Sequence, residues 1–91
     1  MPYWVYVLRS ESGPRRYVGT TDNLEARLSR HDEGSVFSAA PYRPWHLVHS
    51  EPYRTRSQAM MRERFLKSGQ GREWLDVLET ELNRQSPAEA D

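Results

Sequence analysis

Cysteine is absent from the 91 residues, which excludes disulfides and thiolate metal sites alike. With no staple available, the fold must rest on its Trp, Tyr, Leu and Val packing, and a chain this short has only a modest core. No apolar run approaches the roughly 18 residues that a membrane span needs. The start, Met1-Pro2-Tyr3-Trp4, has no basic region leading into an apolar stretch, so no secretory signal is expected and a cytoplasmic location is the default. Internal repeats are missing. So is net charge, since 13 Lys and Arg balance 13 Asp and Glu.

That balance is the sum of unequal parts. Up to Arg72 there are 12 basic and 7 acidic residues, and from Glu73 onward 6 acidic and 1 basic. A neutral total therefore hides a basic body with an acidic end. Lysine is nearly absent as well. Twelve of the thirteen cations are Arg, whose planar fork suits phosphate. The acidic end offers a surface on which a basic protein partner could dock.

The turn and cap signals divide the chain into six elements. Tyr3 to Arg9 is rich in aromatic and β-branched residues and apolar on both faces, as in a central strand. Ser10 to Pro14 is a turn cluster, and Arg16-Tyr17-Val18-Gly19 returns to complete a hairpin. Asp22 and Glu25 have the spacing of a capping box, opening a helix to about Asp32 that stops at Gly34. Residues 34 to 44 form a loop with two prolines, and Trp45 to Glu51 reads as a third strand. Thr55 and Gln58 are a second capping box, opening a helix to about Ser68 that Gly69 and Gly71 break. A last helix carries Trp74, Leu75, Leu78 and Leu82 along one stripe. The expected fold is α+β: a small three-stranded antiparallel sheet flanked by three helices, in the order β-β-α-β-α-α. Residues 1–84 are expected to form the domain and residues 85–91 a flexible acidic tail.

Three charged or titratable residues sit at or beside apolar stripes. Leu24 and Leu28 mark the stripe of the first helix, with Arg27 and His31 beside it and four apart. Ala59 and Leu66 mark that of the second, and Glu63 falls between them. Unpaired burial of such groups costs several kcal/mol in rough terms, so each needs a partner or a purpose. A half-buried Arg27–Glu63 ion pair would meet that need, with His31 favoured at a helix C-terminus by the macrodipole. Tyr6 and Tyr17 lie on the paired strands, where tyrosines usually serve packing. Gly19 ends a strand where the backbone turns or approaches something closely. Tyr42 and Tyr53 fall in expected loops among Arg43, Arg54 and Arg56. This mixture is compatible with stacking on unpaired bases, though ordinary packing is the commoner role.

Val5-Tyr6-Val7 followed by Tyr17-Val18-Gly19 resembles the paired tripeptides that name the GIY-YIG family. The resemblance continues through Thr20 to Leu28 and His31, then Pro44 to Val48, Ala59 to Glu63, and Leu66 to Gly69. It covers residues 3 to about 75 and points to the short, stand-alone bacterial members, related to the nuclease module of the excision-repair incision protein. DNA repair is therefore one expected setting.

The resemblance implies a metal-dependent endonuclease that hydrolyses nucleic-acid phosphodiesters, DNA ahead of RNA. It implies Glu63 as the sole carboxylate ligand of one Mg²⁺ or Mn²⁺, with water and phosphate completing the shell. Arg27 would hold the scissile phosphate. Tyr6 and Tyr17 would position or deprotonate the attacking water, Tyr6 being the first choice for the base, and His31 would take that proton. Gly19, Thr20, Arg30 and Arg43 are the expected substrate contacts, Gly19 by letting the backbone approach the strand.

Departures from the pattern bear on grip. Thr20 and Thr21 stand where some relatives carry Lys, Asp32 follows His31 where many have Asn, and Ser38-Ala39-Ala40 replaces the Thr and basic residues expected in the loop. The alternative is a weak or inactive module that binds nucleic acid or a protein partner. The intact Tyr6, Tyr17, Arg27, His31 and Glu63 set favours the enzyme, because a binding module gains nothing from a carboxylate beside its phosphate site.

Overall fold

A computed structural model describes residues 2–33 and 43–84. The elements are β1 (Tyr3–Ser10), β2 (Arg16–Thr21), α1 (Leu24–Glu33), β3 (Trp45–Tyr53), α2 (Arg56–Lys67) and α3 (Gly69–Arg84). This is the expected order, and the sheet is antiparallel throughout, with β1 in the centre of the order β2-β1-β3.

Alternation along β1 sends its side chains to opposite faces of the sheet, and both faces are covered. Val5 and Val7 join Ala59 and Leu66 of α2 and Leu75 of α3 in one core cluster. Tyr6 and Leu8 join Trp45 in the other, against Leu24 and Leu28 of α1 and Tyr17 of β2. Val5, Tyr6, Val7 and Leu8 are all fully buried, which is why this strand reads as apolar on both faces. A register shift between Val7 and Leu8 lets β3 place one extra residue there, so Val7 faces His49 while Leu8 faces Leu47. β3 is an edge strand, and it accommodates Pro52 at little cost because half of its backbone donors need no ladder partner.

The caps depart from expectation at two places. α1 begins one residue later than the Asp22 box implies: Asn23 is its N-cap, with Oδ1 accepting from Ala26 N–H at 3.1 Å. Thr21 Oγ1 in turn accepts from Asn23 N–H at 3.1 Å and fixes the entry. Asn caps as well as Asp, so the local geometry decides between them. The Thr55–Gln58 capping box forms as expected.

Gly69 and Gly71 do not break the chain between α2 and α3; they lie inside the first turn of α3. Ser68 makes the break. Its Oγ donates to Phe65 O at 2.5 Å and accepts from Gly71 N–H at 3.2 Å. Gly71 has a packing role, since a Cβ there would lie 2.5 Å from Leu66 Cα and nearer still to the Phe65 carbonyl. The two helices close on each other at that point. Among the described residues no helix is long and apolar enough to cross a membrane. Residues 34–42, with Ser38, Ala39, Ala40 and Tyr42, and the tail 85–91 lie outside the described residues.

Candidate active site

Tyr6 is the centre of the site. It is fully buried on the central strand, on the face that α1 covers. Gly19 is its cross-strand partner on β2, and a Cβ at Gly19 would lie 2.6 Å from the Tyr6 hydroxyl oxygen and 2.8 Å from Cζ. The glycine makes room for the phenol. The Tyr6 hydroxyl lies 3.2 Å from His31 Nε2, which comes from the last turn of α1. His31 is itself fully buried and walled by rings: Tyr17 at 4.4 Å, Tyr6 at 5.9 Å and Trp45 at 6.2 Å between centroids. Tyr17 stacks on Tyr6 at 6.2 Å. A hydroxyl and an imidazole thus share a hydrogen bond inside an aromatic box.

Two charges act on that hydroxyl from different helices. Burial raises the Tyr6 pKa well above its ordinary value, and the neighbouring Tyr17 adds to the rise. Arg27 of α1 opposes it by charge and hydrogen bonding, and Glu63 of α2 raises it further. The phenol is therefore held neutral, and a cation is the group that would release its proton. Arg27 and Glu63 do not pair with each other. Glu63 accepts instead from Lys67 Nζ at 2.6 Å, and no ion pair joins it to Arg27 among the described residues. A direct Arg27–Glu63 pair closing a polar gap is thus replaced by two charges acting on one phenol. His31, in the last turn of α1, is part of the buried box.

Of the expected site residues, the fold gathers Tyr6, Tyr17, Gly19, His31, Arg27 and Glu63. Thr20 follows Gly19 but pairs with Val5, and strand alternation turns it to the other face of the sheet from Tyr6. Arg30 is exposed one residue before His31, and Arg43 is exposed ahead of β3. Gly19 shows its close contact with Tyr6 itself. Trp45 was given no role from sequence, yet it is buried and forms a wall of the box, 6.2 Å from Tyr17. Its position at the start of a strand beside Pro44 was the available signal. Lys67, which binds Glu63, was also passed over; the i, i+4 spacing on a helix could have found it.

Other charged residues have structural work. Tyr53 ends β3 rather than lying in a loop, and its hydroxyl donates to Glu51 at 2.7 Å. Arg62 of α2 donates to the same carboxylate from Nε at 2.9 Å and from a terminal nitrogen at 3.1 Å, and His49 Nε2 lies 2.7 Å away. Burial alone would raise the Glu51 pKa, but the bonds from Arg62, His49 and Tyr53 outweigh it and bring the value down to about 2. The Arg62 guanidinium also lies over Phe65 and Trp74, 5.1 and 4.9 Å from the ring centroids.

The acidic end of the chain finds bases within the chain. Arg16 of β2 donates to Glu79 at 2.6 Å and to Asp76 at 2.8 Å, and Arg9 Nε lies 3.6 Å from Glu79. Two of its acids thus hold α3 to the sheet.

The family model for the GIY-YIG catalytic domain matches residues 2–74. A UPF0213 protein of Natronomonas pharaonis is 40% identical over 67 residues, covering 72% of this chain and 78% of its own length. A UPF0213 protein of Staphylococcus aureus is 34% identical over 70 residues, covering 72% of this chain and 80% of its own length. Among solved structures, the solution structure of a UPF0213 protein from Bacillus halodurans superposes with a TM-score of 0.52 at 27% identity, covering 86% of this chain and 85% of that one.

Proposed function

Because this chain belongs to the GIY-YIG catalytic-domain family, we propose that it is a metal-dependent endonuclease that hydrolyses phosphodiester bonds of nucleic acid, DNA first. The observation that carries the reading is the Tyr6 hydroxyl. It is buried against His31 and acted on by Arg27 and Glu63, so three side chains from two helices converge on one phenol. Packing alone gives no reason to aim a carboxylate, a guanidinium and an imidazole at one phenol.

The donor set fits a hard divalent ion. Glu63 offers one partly exposed carboxylate, and no group of three or more His, Cys, Asp or Glu gathers to make a closed protein cage among the described residues. Such a site suits Mg²⁺ or Mn²⁺, which keep several waters and bind through one or two carboxylates and substrate phosphate. Glu63 would hold the ion, which would supply charge stabilisation on the phosphoryl oxygens and polarise water.

The chain's own residues do the rest. Arg27 presents a fork of donors to the non-bridging oxygens and offsets their growing charge. Tyr6, kept neutral by burial, acts as a base by passing its own proton to His31 Nε2 while taking one from the attacking water. Tyr17 and Trp45 wall the imidazole and keep bulk water out of that transfer. Gly19 keeps the Tyr6 oxygen in place. Arg30 and Arg43, both exposed, would contact the more distant backbone of the strand. Residues 1–84 make up this catalytic domain, acting in the cytoplasm.

A second reading is a module that binds nucleic acid without cutting it. The replaced bases of the 34–44 loop favour weak grip, but a carboxylate beside the phosphate position opposes binding unless a cation sits on it. The deciding assay is cleavage of labelled single-stranded, duplex and flapped DNA and of RNA with Mg²⁺, Mn²⁺ or EDTA, beside Glu63→Gln prepared identically. Metal-dependent cutting that disappears in the variant is expected. Equal traces of cutting in both preparations would overturn the enzyme reading in favour of the binding module.

A further inference from the structure

A cleft of about 290 Å³ opens beside the site, between the edge strand β2 and the junction of α2 with α3. Its walls are Arg16, Tyr17, Val18, Leu66, Lys67 and Arg72. That volume lies at the small end of ligand sites and suits a backbone phosphate with its sugar rather than a base pair. Tyr17 is shared with the active-site box, so the cleft begins where the box ends.

Its three cations are not equivalent. Arg16 is already engaged by Asp76 and Glu79 and serves as wall. Lys67 has its Nζ on Glu63 and also lines a second depression of about 250 Å³ with Met60, Glu63 and Arg64. It therefore stands on the ridge between the proposed metal carboxylate and the cleft. Arg72 is exposed, and among the described residues its guanidinium makes no ion pair. A half-enclosed space whose one uncommitted charged group is an arginine, reached from Glu63 across a lysine, has the chemistry of an anion site.

We propose that this cleft binds the phosphate next to the scissile one on the same single strand, with Arg72 and Lys67 as its donors and Tyr17 as the wall between the two phosphates. The proposal rests on the nuclease reading. It makes the enzyme one that follows a single strand across β2 and selects substrates with a phosphate on both sides of a nucleotide. Arg72 contributes uniform binding, so its loss raises KM and leaves kcat in place.

The test measures binding of a fluorescent single-stranded oligonucleotide in EDTA, where nothing is cut, over a series of salt concentrations. The full chain is compared with Arg72→Ala, Lys67→Met and, as a control on the far end of α3, Arg84→Ala. Among the described residues Arg72 makes no side-chain bond, so its variant reports on binding. Loss of one phosphate contact is expected to weaken binding on the order of tenfold and to lower the salt slope by about 0.7. Lys67→Met should do the same, and Arg84→Ala should do neither. An unchanged slope in Arg72→Ala, with cleavage still abolished by Glu63→Gln, would overturn the subsite and leave the nuclease standing. If the unaltered chain binds no strand in EDTA even at low salt, the subsite falls, and if it also cuts none with Mg²⁺ or Mn²⁺, both fall.

Discussion

Replacing Gly19 by Ala tests the geometry of the site without removing any chemical group. Ordinary contact begins near 3.4 Å, and the new Cβ would lie 2.6 Å from the Tyr6 oxygen, so the phenol must retreat by about 0.8 Å. Tyr6 is fully buried, with Tyr17 stacked on it and His31 at its hydroxyl, so it has no free direction to move in. Overpacking of this kind costs about 1–3 kcal/mol. Gly19 has no positive φ, so without the clash alanine would stabilise the chain by about 0.4–1 kcal/mol through the unfolded state. The two views differ in sign. For a domain of this size, roughly 4–8 °C of Tm follows each kcal/mol, well within the reach of a thermal melt.

Activity should fall with stability. Displacing a reacting group by about 1 Å can cost on the order of 100-fold in rate. The loss should appear in kcat, since the Tyr6–His31 line is disturbed rather than the grip on the strand. The cycle with Tyr6→Leu isolates the cause: with the ring gone, Gly19→Ala should cost nothing, giving a coupling of about 1–3 kcal/mol. A Gly19→Ala protein that melts at or above the parent temperature and cleaves at the parent rate would refute the argument. One that keeps its Tm and only raises KM would return Gly19 to the role of admitting the substrate backbone.

Arg27→Lys keeps the charge but loses the fork, and it should reduce kcat on the order of 100-fold with the melt unchanged; full activity would remove Arg27 from the phosphate. Glu51 gives an acid signature. Its folded pKa of about 2 lies below the ordinary 4.5, so its contribution to stability is complete above that ordinary value and is lost as pH falls from about 4.5 towards 2. Urea unfolding at a series of pH values should show Glu51→Gln less stable than the parent near neutrality, with a smaller further loss across that window. Identical pH dependence in the two proteins would show that the Arg62–His49–Tyr53 bonds do not act through this carboxylate.

The elements were legible in the sequence because local and tertiary preferences agree in them. β1 is apolar on both faces and is buried on both; Thr55 and Gln58 form the capping box their spacing implies. Sequence reading went astray where two residues compete for one role, or where a residue's reason lies in a distant part of the chain. Asp22 and Asn23 are equivalent caps on paper, and only the Thr21 bond selects the second. Gly71 reads as a breaker but answers to Leu66 and Phe65 across a helix junction. Gly19 reads as a place of close approach, and only the fold shows that what it meets is Tyr6. Arg27 and Glu63 were correctly marked as charges needing a purpose, but spacing along two separate helices carries no information on whether they meet. Their shared influence on the Tyr6 phenol arises from tertiary structure, which spacing does not carry.

The neutral total charge also acquires a physical reason. A basic body repels itself, and here the repulsion is relieved inside the chain. Arg9 and Arg16 hold Asp76 and Glu79 of the acidic last helix, and Arg62 holds Glu51. These arginines tie α3 and α2 to the sheet and so fix the frame on which the tyrosines sit. For the proposed function this leaves a smaller set, headed by Arg27 at the phenol and Arg72 at the cleft. The division is consistent with chemistry that needs few contacts. A metal, one guanidinium and a buried proton path can act on a single phosphate, whereas the twelve basic residues of the body would suggest a broad binding face if counted without their partners.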